Sequence, residues 1–371
     1  MINHLRLISR KGAFQSALHA WYRLHRRRLP WRERPSLYST VVSEFMLQQT
    51  RIKTALPYFE RWMRALPDFT ALASASGARV LKLWEGLGYY SRVRNLHRLA
   101  QRVAALPAPP RTPEAWRELP GVGPYTAAAI TSLAFGAPAA CVDGNVVRVL
   151  ARLTADPTRF RDRSTAVKHF APLAGALLAE ADPGVHNQAM MELGALVCRQ
   201  SDPRCPSCPV RQFCAAVAGR PGDYPRIARK KLGQRMVIRA WCERRGCLLL
   251  HCADSRAQRL ANLHELPTPA DLGLDAAAVQ AAPLLAKKRR AMTNHRIIEL
   301  IYAVRLTAAQ QRRLAGNAGL RWVPRAGLDR IALSGPHRRW IGEILQTRRR
   351  NPVPPRFQAG NGGNPNGSFR P

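Results

Sequence analysis

The sequence predicts a mainly helical N-terminal domain followed by an α+β C-terminal domain, and three observations lead there. Apolar residues recur at helical spacing through roughly the first half of the chain. Four cysteines gather between positions 198 and 214. Beyond them the composition turns to Pro, Gly, Lys and Arg, and then to short apolar runs of strand character. A chain of 371 residues suits roughly two domains of about 150 each. Its 46% hydrophobic content is enough for packed cores and argues against wholesale disorder.

Taken in order, Phe14, Leu18 and Trp21 mark a first helix closed by Pro30. Tyr38, Val41, Phe45 and Gln48 share a face of a second. Segments around Leu81, at 96–103, 126–133 and 146–153 continue the pattern, with Pro/Gly turns at 106–113 and 119–124. Residues 9–218 are therefore expected to form the helical domain and 219–235 a linker. Residues 236–349 should form the α+β domain, and the Asn/Gly/Pro-rich stretch 350–371 a disordered tail. Within the second domain, 236–242 and 247–252 read as strands joined by a turn at Arg244-Arg245-Gly246, and 297–306 as another strand. A helix is expected within 327–345, broken in its middle by Pro336.

Charge narrows the function. The chain has 59 Lys+Arg against 23 Asp+Glu, a net +36 and a pI near 11.5. That balance points to a polyanion as partner, above all nucleic acid. The alternative is a generally basic background composition. The longest uncharged run, 119–142, is Ala-rich and interrupted by Pro124 and Pro138, so no membrane partner is expected. Residues 1–11 lack an apolar core of the signal-peptide kind, which argues against secretion.

Cys198, Cys205, Cys208 and Cys214 follow the spacing C-x6-C-x2-C-x5-C. Thiolates are soft ligands, and four on one short loop suit zinc or an iron–sulfur cluster. Zinc sites usually pair two CxxC knuckles. The single CxxC here, with wider flanking gaps, favours the larger cluster. Arg199, Arg204 and Arg211 give the loop a surface for phosphates.

The segment Leu119-Pro120-Gly121-Val122-Gly123, followed by Pro124-Tyr125-Thr126, reads as a hairpin opening a helix. Gly121 and Gly123 leave backbone N–H groups uncovered, which suits a DNA phosphate. Asp143 stands before Gly144-Asn145, where it caps a helix or bears a catalytic carboxylate. Glu44, within Ser43-Glu44-Phe45-Met46-Leu47-Gln48-Gln49-Thr50, falls on a mostly apolar helix face. Desolvation there raises a carboxyl pKa and leaves a protonated general acid; the alternative is a Glu paired with one of the many arginines.

These residues together resemble the adenine-specific mismatch DNA glycosylases (the MutY family) of the helix-hairpin-helix/iron–sulfur superfamily. The likeness is carried by LPWR at 29–32, SEFMLQQT at 43–50, WEGLGYYSRVRNLH at 84–97, LPGVGPYTA at 119–127, VDGNVVRVL at 142–150 and NQAMMELGALVC at 187–198. It implies a helix-hairpin-helix glycosylase domain with a 4Fe-4S cluster on Cys198, Cys205, Cys208 and Cys214, followed by a Nudix-like domain. The substrate it implies is duplex DNA with adenine opposite 8-oxoguanine or guanine, the adenine being flipped out of the stack. Glu44 would protonate the base and Asp143 stabilise the oxocarbenium-like sugar. Tyr125 and Asn145 would position sugar and carboxylates, with Arg27, Trp31, Leu47, Gln188 and Glu192 around the adenine.

Gln49, Thr50, Leu87 and Tyr89 match positions that wedge into the stack and contact 8-oxoguanine. Tyr125 stands where strand-cutting relatives such as endonuclease III place a Schiff-base lysine, which implies a monofunctional enzyme. The C-terminal likeness rests on 248–250, 263–267 and 322–324, without the glutamate-rich box of hydrolytic Nudix enzymes, so no pyrophosphatase activity is expected. Asn294, in Thr293-Asn294-His295, replaces the serine of the family's Phe-Ser-His loop and retains hydrogen-bonding groups for 8-oxoguanine. The resemblance further implies a monomer of bacterial type, cytoplasmic and nucleoid-associated. Competing readings are an endonuclease III-like enzyme for oxidised pyrimidines and a non-catalytic DNA-binding protein.

Overall fold

Apolar spacing and capping residues account for most of the helices. The computed structural model describes residues 2–228, 233–254, 260–292 and 295–350. The tail at 351–371 and Asn294 lie outside the described residues. The helical part comprises α1 (Ile2–Ser9), α2 (Lys11–His25), α3 (Pro30–Glu33), α4 (Leu37–Leu47), α5 (Ile52–Ala65), α6 (Phe69–Ser74), α7 (Gly77–Trp84) and α8 (Ser91–Ala104). It continues with α9 (Pro113–Arg117), α10 (Pro124–Phe135), α11 (Gly144–Thr154), α12 (Arg163–Leu177) and α13 (Pro183–Leu196). In α2, Phe14, Leu18, Trp21 and Tyr22 form the buried stripe of a surface helix. Pro30 occupies the first position of α3, where its missing N–H costs nothing, so it starts that helix. A reciprocal cap between Ser36 and Ser39 opens α4, which is buried on nearly every face from Tyr38 to Met46.

Two cores divide this part. The first is built from α4 to α10, around Phe45, Trp62, Trp84, Leu96 and Trp116. The second joins α1 and α2 to α11, α12, α13 and the cysteine loop, around Phe14, Leu18, Leu150, Phe170 and Leu193. The expected linker is partly built into this part. A short strand, β2 (Arg226–Ile227), pairs in parallel with β1 (Arg159–Phe160).

The C-terminal part holds β3 (Gly233–Trp241), β4 (Glu243–Arg244), β5 (Cys247–Cys252), β6 (His264–Glu265), α14 (Ala276–Gln280), β7 (Leu284–Met292), β8 (His295–Ala303), α15 (Ala308–Leu314), β9 (Leu320–Pro324) and α16 (Gly335–Arg350). Two expectations are corrected. The turn at 244–246 joins β4 to β5, with Arg245 and Gly246 both at positive φ as a tight hairpin requires. β3 instead pairs in parallel with β8, which is antiparallel to β7. Pro336 does not break a helix but lies in the first turn of α16, which packs Trp340, Ile341 and Ile344 against Trp241, Leu250 and Ile301. No described helix is long and apolar enough to cross a membrane.

Candidate active site

Three helices bring the polar groups of the two cores together. Glu44, near the end of α4, is only 8% exposed. Its carboxyl shares a hydrogen bond with the Tyr125 hydroxyl and feels the charges of Asp143 and Arg32. Burial dominates and pushes the Glu44 pKa up to about 7; the Tyr125 bond and Arg32 oppose the rise and Asp143 adds to it. Tyr125 sits in the first turn of α10, with its hydroxyl also 3.2 Å from the Met191 thioether. Burial, and then Glu44, hold this phenol well above its usual pKa. Cys141, fully buried, lies in the same electrostatic neighbourhood.

Asp143 caps α11 and faces this cluster at once. Its Oδ1 accepts the backbone N–H groups of Asn145 and Val146, both at 2.8 Å, and its Oδ2 accepts Asn145 Nδ2 at 2.8 Å. Burial raises its pKa, while these donors and Arg148 work in the other direction. Asn145 is itself held by Arg148 Nη2 at 2.7 Å. Gly194 on α13 makes this closeness possible: a Cβ there would meet Asn145 Cβ at 2.6 Å.

A second cluster adjoins the first through Arg32. Glu192, 1% exposed, accepts a bidentate pair from Arg27 (Nε and Nη2, both 2.8 Å) and a further bond from Arg32 Nη2 at 3.1 Å. Burial opposes its ionisation, but the two guanidiniums outweigh burial and hold the carboxyl down to about 2. Gln188 accepts from Tyr22 at 3.0 Å on the same helix. Trp31 packs edge-on against Phe59, and Trp31 and Leu47 both border the first core.

The third group is organised by Arg92, which is 6% exposed. Its guanidinium donates to the carbonyls of Phe45, Met46, Gln48, Leu87 and Gly88 and to Thr50 Oγ1, and lies 5.3 Å from the Trp84 and Tyr89 rings. It thus ties the Gln49–Thr50 corner to the Leu87–Tyr89 loop. Gln49 and Tyr89 both adopt positive φ and both are exposed, Tyr89 at 47%, whereas Leu87 is buried at 6%. At the hairpin between α9 and α10, Gly121 has φ +78°, and Gly121 and Gly123 are exposed. Sequence reasoning missed Arg32, Arg92 and Met191. All three lie inside the quoted motifs, Arg32 and Met191 beside the candidates Trp31 and Glu192.

Cys198, Cys205, Cys208 and Cys214 line one small pocket with Arg152, Val197 and Val217. None of the four is tied up in a disulfide. Arg152 is 2% exposed; it donates to Cys198 Sγ at 3.4 Å and to the carbonyls of Arg199, Gln200 and Tyr224. A buried guanidinium held by sulfur and carbonyls, with no carboxylate ion-paired to it among the described residues, suits an anionic metal–thiolate group. Among the described residues, no group of three or more His, Cys, Asp or Glu is placed to hold a single metal ion.

Residues 42–170 match the HhH-GPD superfamily of base excision DNA repair proteins. The chain is 45% identical over 235 residues to the adenine DNA glycosylase of Mus musculus, covering 59% of this chain and 43% of that protein. The human adenine DNA glycosylase is 46% identical over 219 residues, covering 55% of this chain and 39% of its own length. That of Buchnera aphidicola subsp. Baizongia pistaciae is 33% identical over 208 residues, covering 54% and 57% respectively. The chain thus spans about half the length of the curated relatives it matches. Among solved structures, a thermostable thymine-DNA glycosylase aligns with a TM-score of 0.49 and 25% identity, covering 57% of this chain and 97% of that one.

Proposed function

We propose that this chain, which belongs to the adenine DNA glycosylase family within the HhH-GPD superfamily of base excision DNA repair proteins, hydrolyses the N-glycosidic bond of adenine mispaired with 8-oxoguanine or guanine in duplex DNA. The observation that carries this reading is the burial of Glu44, 8% exposed, beside Tyr125 and Asp143, which favours its protonated form. Glu44 gives its proton to the adenine ring, which makes the base a leaving group. Asp143, held by three N–H donors, carries negative charge beside the developing oxocarbenium sugar. Asn145 keeps that carboxylate in place. The Glu192–Arg27–Arg32 cluster and Gln188 border the base, with Trp31 and Leu47 as apolar neighbours.

Gln49, Thr50, Leu87 and Tyr89, braced by Arg92, address the opposite strand, and Gly121 and Gly123 meet phosphate. Asn294 contacts 8-oxoguanine from a C-terminal Nudix-like domain. The four cysteines hold a 4Fe-4S cluster whose chemistry here is structural, fixing a loop rich in arginine against DNA. The protein acts as a monomer in the cytoplasm.

The test is a strand assay on labelled duplexes with adenine opposite 8-oxoguanine, adenine opposite guanine, or an oxidised pyrimidine. Adenine loss that yields a break only after alkali supports the reading. Preference for the oxidised pyrimidine, or binding without base loss, contradicts it. Tyr125→Lys should gain borohydride-trappable lyase activity, since an amine forms the imine a phenol cannot.

A further inference from the structure

We infer that Glu85 is a positioning residue that locks the C-terminal part onto the loop bearing Tyr89, so that the two surfaces addressing the strand opposite the adenine move as one body. The inference rests on the reading above for what those surfaces bind, but the lock itself is a matter of geometry.

Glu85 follows α7 directly and precedes the loop 86–90. Its side chain is 8% exposed, and such burial is costly for a carboxylate unless every lone pair is used. Its donors come from both parts of the molecule. Lys82 Nζ, from its own helix, lies at 2.5 Å. Arg338, from α16, forks onto it with Nε at 2.5 Å and Nη2 at 3.2 Å, and the Leu333 backbone N–H lies at 3.3 Å. A fully exposed ion pair between two parts would contribute little, but a forked guanidinium on a buried carboxylate, the Arg338 side chain being 27% exposed, fixes orientation.

The surroundings repeat the connection. Lys82 also donates to the Ile331 carbonyl at 3.1 Å, and the Tyr90 hydroxyl donates to the Leu333 carbonyl at 3.2 Å. Gly335 lies so close to Gly86 that an added Cβ would stand 3.4 Å from Gly86 Cα. On the far side, Leu333 bridges to His264 of β6, so the contact reaches into the C-terminal sheet. A second anchor sits along α8, where Arg94 donates to the Ala261 carbonyl at 3.1 Å and Leu263 is buried in the first helical core. Contacts between parts of one chain are usually loose enough to permit relative motion. Here the segment 331–338 is fastened at Glu85, four residues before the exposed Tyr89. Losing that fastening should leave the chemistry at Glu44 alone and weaken the concerted reading of the opposite base.

The experiment uses the full chain as Glu85→Gln, Arg338→Gln and the double variant, each first checked for an unchanged melting profile of the helical part. Small-angle scattering without DNA reads the docking. Single-turnover excision and binding on adenine:8-oxoguanine and adenine:guanine duplexes read its consequence. Either single variant should enlarge the radius of gyration and lower the preference for the 8-oxoguanine duplex by about tenfold, the equivalent of roughly 1.4 kcal/mol. Each should leave the rate at saturating adenine:guanine duplex within about twofold, and the double variant should be no worse than the worse single. Unchanged scattering and preference in Glu85→Gln, or fully additive effects in the double variant, would overturn the lock. A wild-type chain that releases no adenine would instead overturn the functional reading, while scattering still decides the lock.

Discussion

Burial raises the Glu44 carboxyl from its ordinary value to about 7, and that has a consequence for stability. Its carboxyl titrates at about 7 when folded and near the ordinary 4.5 when unfolded. The folded state therefore binds the extra proton between those values, and stability is lost as pH rises from 4.5 towards 7. Glu44→Gln should remove this penalty. At pH 8 the variant should be more stable than wild type by on the order of 3 kcal/mol, and at pH 4 by nearly nothing, as denaturant unfolding would measure. An equal effect at both pH values would mean that Glu44 is not forced neutral. Arg32 and Arg92 carry a separate lesson. A guanidinium whose partners include the Glu192 carboxylate or the Phe45 and Met46 carbonyls, far away along the chain, leaves no local pattern. In a chain with 59 Lys+Arg, nothing in sequence separates the buried few from the rest.

At the scale of elements, α11 shows why the two readings of Asp143 do not compete. The side chain that satisfies the helix N-terminus is also the one facing Glu44 and Asn145. Asparagine caps helices as well as aspartate does, so Asp143→Asn separates the roles. Stability should fall by less than about 1 kcal/mol while adenine release slows by about a hundredfold or more. A large loss of stability with a near-normal rate would reduce Asp143 to a cap. Gly194→Ala, with its Cβ driven against Asn145, should cost about 1–3 kcal/mol in thermal unfolding as α13 and α11 part. The helices were legible because their apolar stripes and caps are local signals. The pairing of β3 with β8 was not, because those strands are some sixty positions apart by register, Gly233 opposite His295, and an apolar run does not name its partner. Pro336 was misread for a related reason: a proline near a helix start and one in its interior look alike until the start is known.

For the molecule as a whole, a net charge of +36 would, on the proposed function, set how it meets DNA. If six to ten phosphates are neutralised on binding, affinity for undamaged duplex should fall by about 10³–10⁵ between 50 and 200 mM salt, a slope that fluorescence anisotropy would record. A flat salt response would mean the charge serves something other than the backbone of DNA. A helical part followed by one of strand character was expected from apolar periodicity, the cysteine cluster and the change of composition beyond it. The contact that joins them was not, since Glu85 and Arg338 are ordinary charges in the sequence and become a pair only through the fold.

In the proposed reaction Glu44 acts as a protonated acid beside Asp143, and the pH dependence of single-turnover adenine release from an adenine:8-oxoguanine duplex tests this most directly. Wild type should lose activity as pH rises through about 7, and Glu44→Gln should be slower by about 10²–10⁴ with that descending limb gone. A wild-type rate that stays level or climbs above pH 7, or a variant that keeps both the rate and the limb, would contradict it.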